Sequence, residues 1–235
     1  MKVSSLSLLA SLCLALTIGS CRARTDSQTS PEWASLAEVA MKSVCEVEIL
    51  ETKTGVPVLR SMGTGFLISS DGYLLTNAHV VDSILTLNNP AIQVRFENGK
   101  EYEVLRTIML PDLDIAILKI DGKNLPYLEL EFRDKLQRGD HLLSLGNPYP
   151  FTFSVSAGIV SGLKFQSNPK NKFLWVQSDL GINPGMSGGP VIGVTGKVVA
   201  INQAYVPEMS EVSLLIPVTS LKGYFMAMFP KYLTD

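Results

Sequence analysis

Gly181-Ile182-Asn183-Pro184-Gly185-Met186-Ser187-Gly188-Gly189-Pro190 places four glycines and two prolines in ten residues. Such a backbone enters φ/ψ regions closed to other residues and is then held stiff. Solvent linkers are seldom written this way. Ser187 has Gly188 after it and Gly185 two residues before it, so its hydroxyl can stand clear while the N–H groups of Gly185 and Ser187 point at one spot. That spot suits an oxyanion, and two preorganised donors there form the largest single device in acyl transfer, about 3 kcal/mol for each donor removed. The competing reading is a tight glycine turn between two strands.

The same letters fit the G-x-S-x-G elbow of α/β-hydrolases, so the order of the other residues along the chain has to decide. In that fold the histidine follows the serine, whereas His79 and His141, the two histidines of this sequence, both precede Ser187. Two serine-hydrolase orders remain: His79, Asp114, Ser187, or Asp114, His141, Ser187.

With 235 residues and a 46% hydrophobic composition the chain can bury a substantial core, and its 18% charged fraction is too low for a disordered protein. The net charge of −2 and the lack of a dense Lys/Arg run argue against a nucleic-acid partner. The first 23 residues read as an export signal. Lys2 supplies the positive start, and Leu6 to Ile18 form an apolar run too short for a mature membrane span. Thr17-Ile18-Gly19-Ser20-Cys21 resembles the lipobox of bacterial lipoproteins. Cleavage before Cys21 would remove residues 1–20 and leave Cys21 as a lipid anchor; ordinary cleavage after Ala23 and secretion is the alternative. Two or three acyl chains on one residue hold a protein stably on a bilayer, where one is marginal. Cys13 leaves with the signal and lipid would consume Cys21, so Cys45 remains without a disulfide partner. The sequence Val44-Cys45-Glu46-Val47-Glu48-Ile49 alternates and makes Cys45 a buried small hydrophobe. Two histidines and one thiol leave no metal cluster of workable spacing, and no cofactor is expected.

Residues 21–30 are polar and read as a flexible tether. Ser30-Pro31-Glu32 then supplies a capping residue, a proline at the first helical position and an early acid, predicting a helix over about 31–43. Beyond it, β-favouring runs at 44–50, 64–69, 73–76, 92–96, 102–110 and 115–120 suffice for a closed antiparallel barrel. After a polar connector from Asn124, a second series at 141–145, 153–161, 173–177, 190–193, 197–203 and 212–216 makes another. Leu221 to Phe229 is spaced as a helix. The expected fold is therefore all-β: two six-stranded antiparallel barrels in the chymotrypsin-like manner, one over 31–123 with the N-terminal helix and one over 124–235 with the C-terminal helix. The second triad order would need strands alternating with long helices, and none are written here.

A lone histidine is more often structural than catalytic. Asp114 shifts the balance for His79, because Leu113-Asp114-Ile115-Ala116-Ile117-Leu118 surrounds a carboxylate with apolar residues on both faces of a strand. A charge buried there needs a hydrogen-bonding partner, and a histidine from the same barrel is the natural one. Asp112, nearer the Pro111 turn, reads as solvated, and His141, after a charged connector, as a surface residue.

Gly63-Thr64-Gly65-Phe66-Leu67-Ile68-Ser69, Leu74-Leu75-Thr76-Asn77-Ala78-His79-Val80-Val81, Asp114-Ile115-Ala116-Ile117-Leu118-Lys119-Ile120, Gly146-Asn147-Pro148 and Ile182 to Pro190 together resemble the HtrA (Deg) serine proteases, in order from about residue 35 to 220. The resemblance implies His79 as general base and acid, Asp114 as its orienting partner, Ser187 as nucleophile, and the N–H groups of Gly185 and Ser187 as the oxyanion hole. It also implies a serine endopeptidase of the cell envelope acting on unfolded or extended polypeptides. Family members often form trimers through aromatic residues of the amino-terminal part, for which Trp33 is a candidate. A sequence ending at Asp235 leaves no room for the PDZ domain many members carry.

Two departures bear on the pocket. Met186 stands where the family usually has asparagine, and Ser213-Leu214-Leu215-Ile216-Pro217 where it commonly has Gly-Phe-Ala-Ile-Pro. Enzymes that cut after Lys or Arg carry an acid six residues before the nucleophile, here Gly181, and Glu-specific ones a histidine in the pocket strand, absent from Val212 to Ile216. An apolar slot formed by Gly181, Leu214 and Leu215 is expected to accept small or medium aliphatic residues. The competing function is a lipid-anchored binding or holdase-like protein on the same scaffold with a collapsed oxyanion loop.

Overall fold

The computed structural model describes residues 30–132, 135–165, 175–205 and 212–229. The expected export signal (1–20), Cys21 and the tether up to residue 29 lie outside the described residues. Helix α1 (Ser30–Met41) leads into the first six strands: β1 (Val44–Lys53), β2 (Val56–Leu67), β3 (Tyr73–Thr76), β4 (Pro90–Phe96), β5 (Glu101–Leu110) and β6 (Ile115–Ile120). They close into an antiparallel barrel in the order β1-β2-β3-β6-β5-β4. A one-turn helix α2 (Ala78–Val81) follows β3. The second barrel joins β7 (His141–Gly146), β8 (Ser154–Phe165), β9 (Trp175–Ser178), β10 (Pro190–Ile192), β11 (Val198–Tyr205) and β12 (Ser213–Pro217), closed in the order β10-β11-β12-β9-β8-β7. A 3-10 turn and α3 (Lys222–Met228) come last among the described residues. All-β architecture of two six-stranded barrels is thus the fold, as the strand pattern predicts.

Each barrel is closed around its own alternating residues, because successive strand side chains face opposite sides. Cys45, Val47, Ile49, Leu74, Leu118 and Ile120 fill the first interior. Leu142, Val160, Val176, Val191 and Leu215 fill the second. The opposite faces of β1, β2 and β6 contribute Val44, Phe66 and Ile117 to a third cluster, shared with Leu145 and Ile201 of the second barrel and with Phe225 of α3. This shared core sets one barrel against the other, and the loops that carry His79, Asp114 and Ser187 meet beside it. Cys45 is fully buried, and burial pushes its thiol pKa far up, so it behaves as an apolar side chain.

The sequence pattern misses part of the first hairpin. β1 and β2 pair out to Lys53↔Val56 across a two-residue turn, Thr54 and Gly55, whose φ values of 49° and 82° give the double left-handed turn that right-twisted hairpins prefer. Thr-Gly is a weak signal for that turn. Residues 56–60 of β2 are also exposed, so no inward face marks them as strand. Elsewhere the strand positions follow the pattern, with ends moved by a few residues.

Candidate active site

Asp114 lies just before β6 and not within it, at the end of the 3-10 turn Pro111–Leu113, with φ 52° and ψ 42°. A left-handed conformation is uncommon for a non-glycine residue and is stabilised here by the bonds it permits. The Asp114 carbonyl accepts the N–H of Ala78, at 3.1 Å, and the side-chain amide of Asn77, at 2.9 Å. Its carboxylate accepts the backbone N–H of His79 on Oδ1, at 3.0 Å, and faces His79 Nδ1 with Oδ2, at 2.7 Å. The residue is therefore only partly buried, with 21% of its side chain exposed, and both its polar groups are turned toward the segment carrying His79.

With its carboxylate at Nδ1, His79 holds its neutral proton there and leaves the Nε2 lone pair to accept another. Burial of the ring is the largest influence on its pKa and lowers it. The hydrogen bond to Asp114, the charge of Asp114 and that of Asp82 together outweigh burial, so the value stands above the ordinary 6.5. In its neutral form such a group can act as a base, and it acquires its positive charge against a waiting counter-ion.

Ser187 comes from the loop between β9 and β10, and the peptides before it can be accounted for one by one. The carbonyl of Pro184 accepts the N–H of Tyr149 at 3.0 Å; that of Gly185 accepts the hydroxyl of Thr64 at 2.7 Å; that of Met186 accepts the N–H of Gly189 at 3.0 Å; and that of Ser187 accepts the N–H of Thr64 at 2.9 Å. The N–H of Met186 donates to Asn183 and that of Gly188 to Asn202. From Gly185 to Gly189, the N–H groups of Gly185 and Ser187 are the two that make no bond among the described residues. These are the two donors that the glycine pattern predicts for an oxyanion. Gly185, at φ 100°, admits no side chain: a Cβ would stand 2.2 Å from the Asn147 carbonyl oxygen.

The hydroxyl of Ser187 donates to the main-chain carbonyl of Gln203 at 3.1 Å rather than to His79. Catalytic bonds commonly tighten only when substrate is present. The same Gln203 sends its side-chain amide to Asp114 Oδ2 at 3.1 Å. One residue of β11 in the second barrel thus touches both the acid and the serine. Gln203 and Thr64 are two site contacts that sequence reading misses. A signal for the first is the polar pair Asn202-Gln203 interrupting an apolar strand; for the second, a threonine set between Gly63 and Gly65.

Other candidates lie elsewhere. Asp112 is exposed on the 3-10 turn. His141 is exposed at the start of β7, its ring 6.3 Å from that of Trp33, which packs against the shared core. Gly181 donates its N–H to Ser156 Oγ at 2.9 Å. Leu214 and Leu215 are both buried, and strand alternation sends Leu214 to the shared core and Leu215 into the second barrel. Met186 is also packed inside the second barrel, so a methionine there serves packing of the loop.

A family model described as trypsin-like peptidase domain matches residues 63–201. A probable periplasmic serine endoprotease, DegP-like, of Pseudomonas putida (strain W619) is 43% identical over 144 residues, 61% of this chain and 29% of the relative. A putative serine protease, HhoB, of Synechocystis sp. is 32% identical over 179 residues, 74% of this chain and 42% of the relative. The chain thus spans less than half the length of either. Among solved structures, the serine endoprotease from Yersinia pestis superposes with a TM-score of 0.68 at 29% identity, over 86% of this chain and 67% of that one. The HtrA-type protease AlgW with tripeptide gives 0.71 at 28% identity, over 85% and 64%.

Proposed function

The chain belongs to the trypsin-like peptidase family, and from that premise we propose that it is a serine endopeptidase of the bacterial cell envelope, hydrolysing unfolded or extended polypeptides through His79, Asp114 and Ser187. The observation that carries this reading is the doubly bonded His79–Asp114 pair, with ring and backbone N–H both on one carboxylate, set across the barrel junction from a serine loop that leaves the N–H groups of Gly185 and Ser187 free.

The chemistry follows from those positions. Ser187 Oγ attacks the scissile carbonyl carbon while its proton passes to His79 Nε2. The carbonyl oxygen becomes an oxyanion and takes the N–H groups of Gly185 and Ser187. Asp114 stabilises the imidazolium without itself accepting the proton. Collapse of the tetrahedral intermediate breaks the C–N bond, His79 returns the proton to the leaving amine, and an acyl-Ser187 ester remains. Water, activated by the same imidazole, repeats the sequence and frees the acid. Fixed donors aimed at developing charge supply the largest share of the acceleration.

Gly181 in place of an acid leaves a basic side chain uncompensated in the pocket, at a cost of several kcal/mol. Cleavage therefore follows small or medium aliphatic residues. Discrimination among them is weak, since one methylene is worth only about 1–3 kcal/mol. Similarity to a probable periplasmic serine endoprotease supports export, and the Ile18-Gly19-Ser20-Cys21 run supports anchoring through acylated Cys21. The reading is tested by incubating the purified protein with an unfolded polypeptide and mapping the products by mass spectrometry. Cuts after Val, Ala, Ile or Leu that vanish in Ser187→Ala support it; intact polypeptide, or the same cuts from the alanine variant, refutes it. A mature chain starting at unmodified Arg24 would refute the anchor alone.

A further inference from the structure

Thr64 is fully buried on β2 of the first barrel, and its polar groups reach into the serine loop of the second. Its N–H donates to the Ser187 carbonyl at 2.9 Å, and its hydroxyl donates to the Gly185 carbonyl at 2.7 Å. Those two residues are the ones whose own N–H groups are left free. The Thr64 hydroxyl also accepts the N–H of Asn147 at 2.9 Å, and its carbonyl accepts the Thr76 hydroxyl at 2.7 Å. Asn147 begins the turn whose Tyr149 N–H holds the Pro184 carbonyl. One hydroxyl therefore joins both segments that orient the peptides around Gly185.

A peptide plane carries its C=O and N–H on opposite sides, so fixing one fixes the other. Tyr149 draws the Pro184 carbonyl to one side, which sends the Gly185 N–H to the other. Thr64 holds the next carbonyl and so sets ψ of Gly185, the residue in this loop freest to rotate because it lacks a Cβ. Removing the hydroxyl would leave the Gly185 carbonyl and the Asn147 N–H without their partner inside the protein, a costly state that a shift of the Asn147 turn and of the Gly185–Met186 peptide relieves. The Asn147 turn holds the Pro184 carbonyl through Tyr149, and the Gly185–Met186 peptide links the two planes that carry the free N–H groups, so that shift takes the Gly185 and Ser187 N–H groups out of convergence.

We propose that Thr64 is a positioning residue for the oxyanion site, its hydroxyl latching the loop so that the Gly185 and Ser187 N–H groups converge. This rests on the peptidase reading above and adds to it a residue that touches neither substrate nor the reacting atoms. Its contribution is to transition-state charge, so its loss falls on kcat and spares KM.

The test compares wild type with Thr64→Val, Thr64→Ala and Thr64→Ser on an aliphatic peptide substrate, with kcat, KM, the pH profile and inhibition by a matching peptide boronate measured for each. Thr64→Val keeps the shape and loses the hydroxyl; Thr64→Ala serves if the valine variant does not fold; Thr64→Ser keeps the donor. Expected for the variants lacking the hydroxyl is a fall of about 10²-fold in kcat, comparable with loss of one oxyanion donor. The boronate, whose tetrahedral adduct uses the same donors, should weaken in parallel. KM and the pH midpoint should stay in place because the His79–Asp114 pair is untouched, and Thr64→Ser should restore most of the loss. Wild-type kcat in a hydroxyl-free variant, or a serine variant as impaired as valine, overturns the proposal while leaving the peptidase reading standing. A wild-type protein that neither cleaves peptide nor reacts with a fluorophosphonate overturns both.

Discussion

Replacing Gln203 by leucine removes the amide that reaches Asp114 Oδ2 at 3.1 Å and leaves the main-chain carbonyl that accepts the Ser187 hydroxyl. A hydrogen bond to a charged acceptor contributes about 1.5–3 kcal/mol. Asp114 keeps two donors from His79, so the lower end applies, and about 1.4 kcal/mol is a factor of ten in rate. A loss of about tenfold in kcat/KM is expected. The pH profile should move as well. Gln203 shares the negative charge that Asp114 presents to His79; without it more of that charge acts on the ring, and the pKa of His79, already raised, rises further. Since the base works only when neutral, the acidic limb of kcat/KM should shift to higher pH. Stopped or continuous assay of a fluorogenic aliphatic peptide across that limb reads both quantities. A Gln203→Leu enzyme within twofold of wild type and with an unmoved limb would show the amide contact to be incidental.

Asp114→Asn should lower kcat by roughly 10⁴-fold through the wrong histidine tautomer and, by removing the carboxylate that raises the His79 pKa, should move the acidic limb down; His141→Ala should leave both unchanged. The sign for stability is opposite to that for activity. Stabilisation from the protonated His79–Asp114 pair is complete below about pH 6.5, the unfolded value, and disappears as pH rises through the higher folded pKa; thermal melts of wild type against Asp114→Asn over that window check it. Gly188→Ala puts a Cβ 2.3 Å from both the Thr64 carbonyl oxygen and Thr76 Oγ1, at φ 85°. Overpacking and backbone strain each cost about 1–3 kcal/mol, so the melting temperature should fall by at least about 4 °C, read by calorimetry.

Much of this was open to sequence reading because its residues sit in local signals. Alternation marks the strands on both sides of each barrel, and His79 and Ser187 close recognisable runs. What escaped reading depends on contacts between distant parts of the chain. Asp114 was legible as a carboxylate in apolar company but not as a left-handed residue before its strand, because φ there is set by Asn77, Ala78 and His79. Gln203 meets Asp114 from 89 positions away and Thr64 meets Gly185 from 121, across the junction of two barrels. No periodicity records such a meeting. The outer half of the first hairpin escaped for the opposite reason: residues 56–60 face solvent, so burial wrote no pattern into them.

Whether Ser187 is a nucleophile activated by His79 and served by the Gly185 and Ser187 N–H groups is read most directly by covalent labelling with a fluorophosphonate, located by peptide mass spectrometry. Displacement of fluoride by Ser187 Oγ requires the base and yields a phosphonyl group whose oxygen needs the same donors. Rapid, stoichiometric modification of Ser187 is expected in the wild type, slowed by orders of magnitude in His79→Ala and unaffected in His141→Ala. Labelling of another serine, or equal labelling with and without His79, would contradict it.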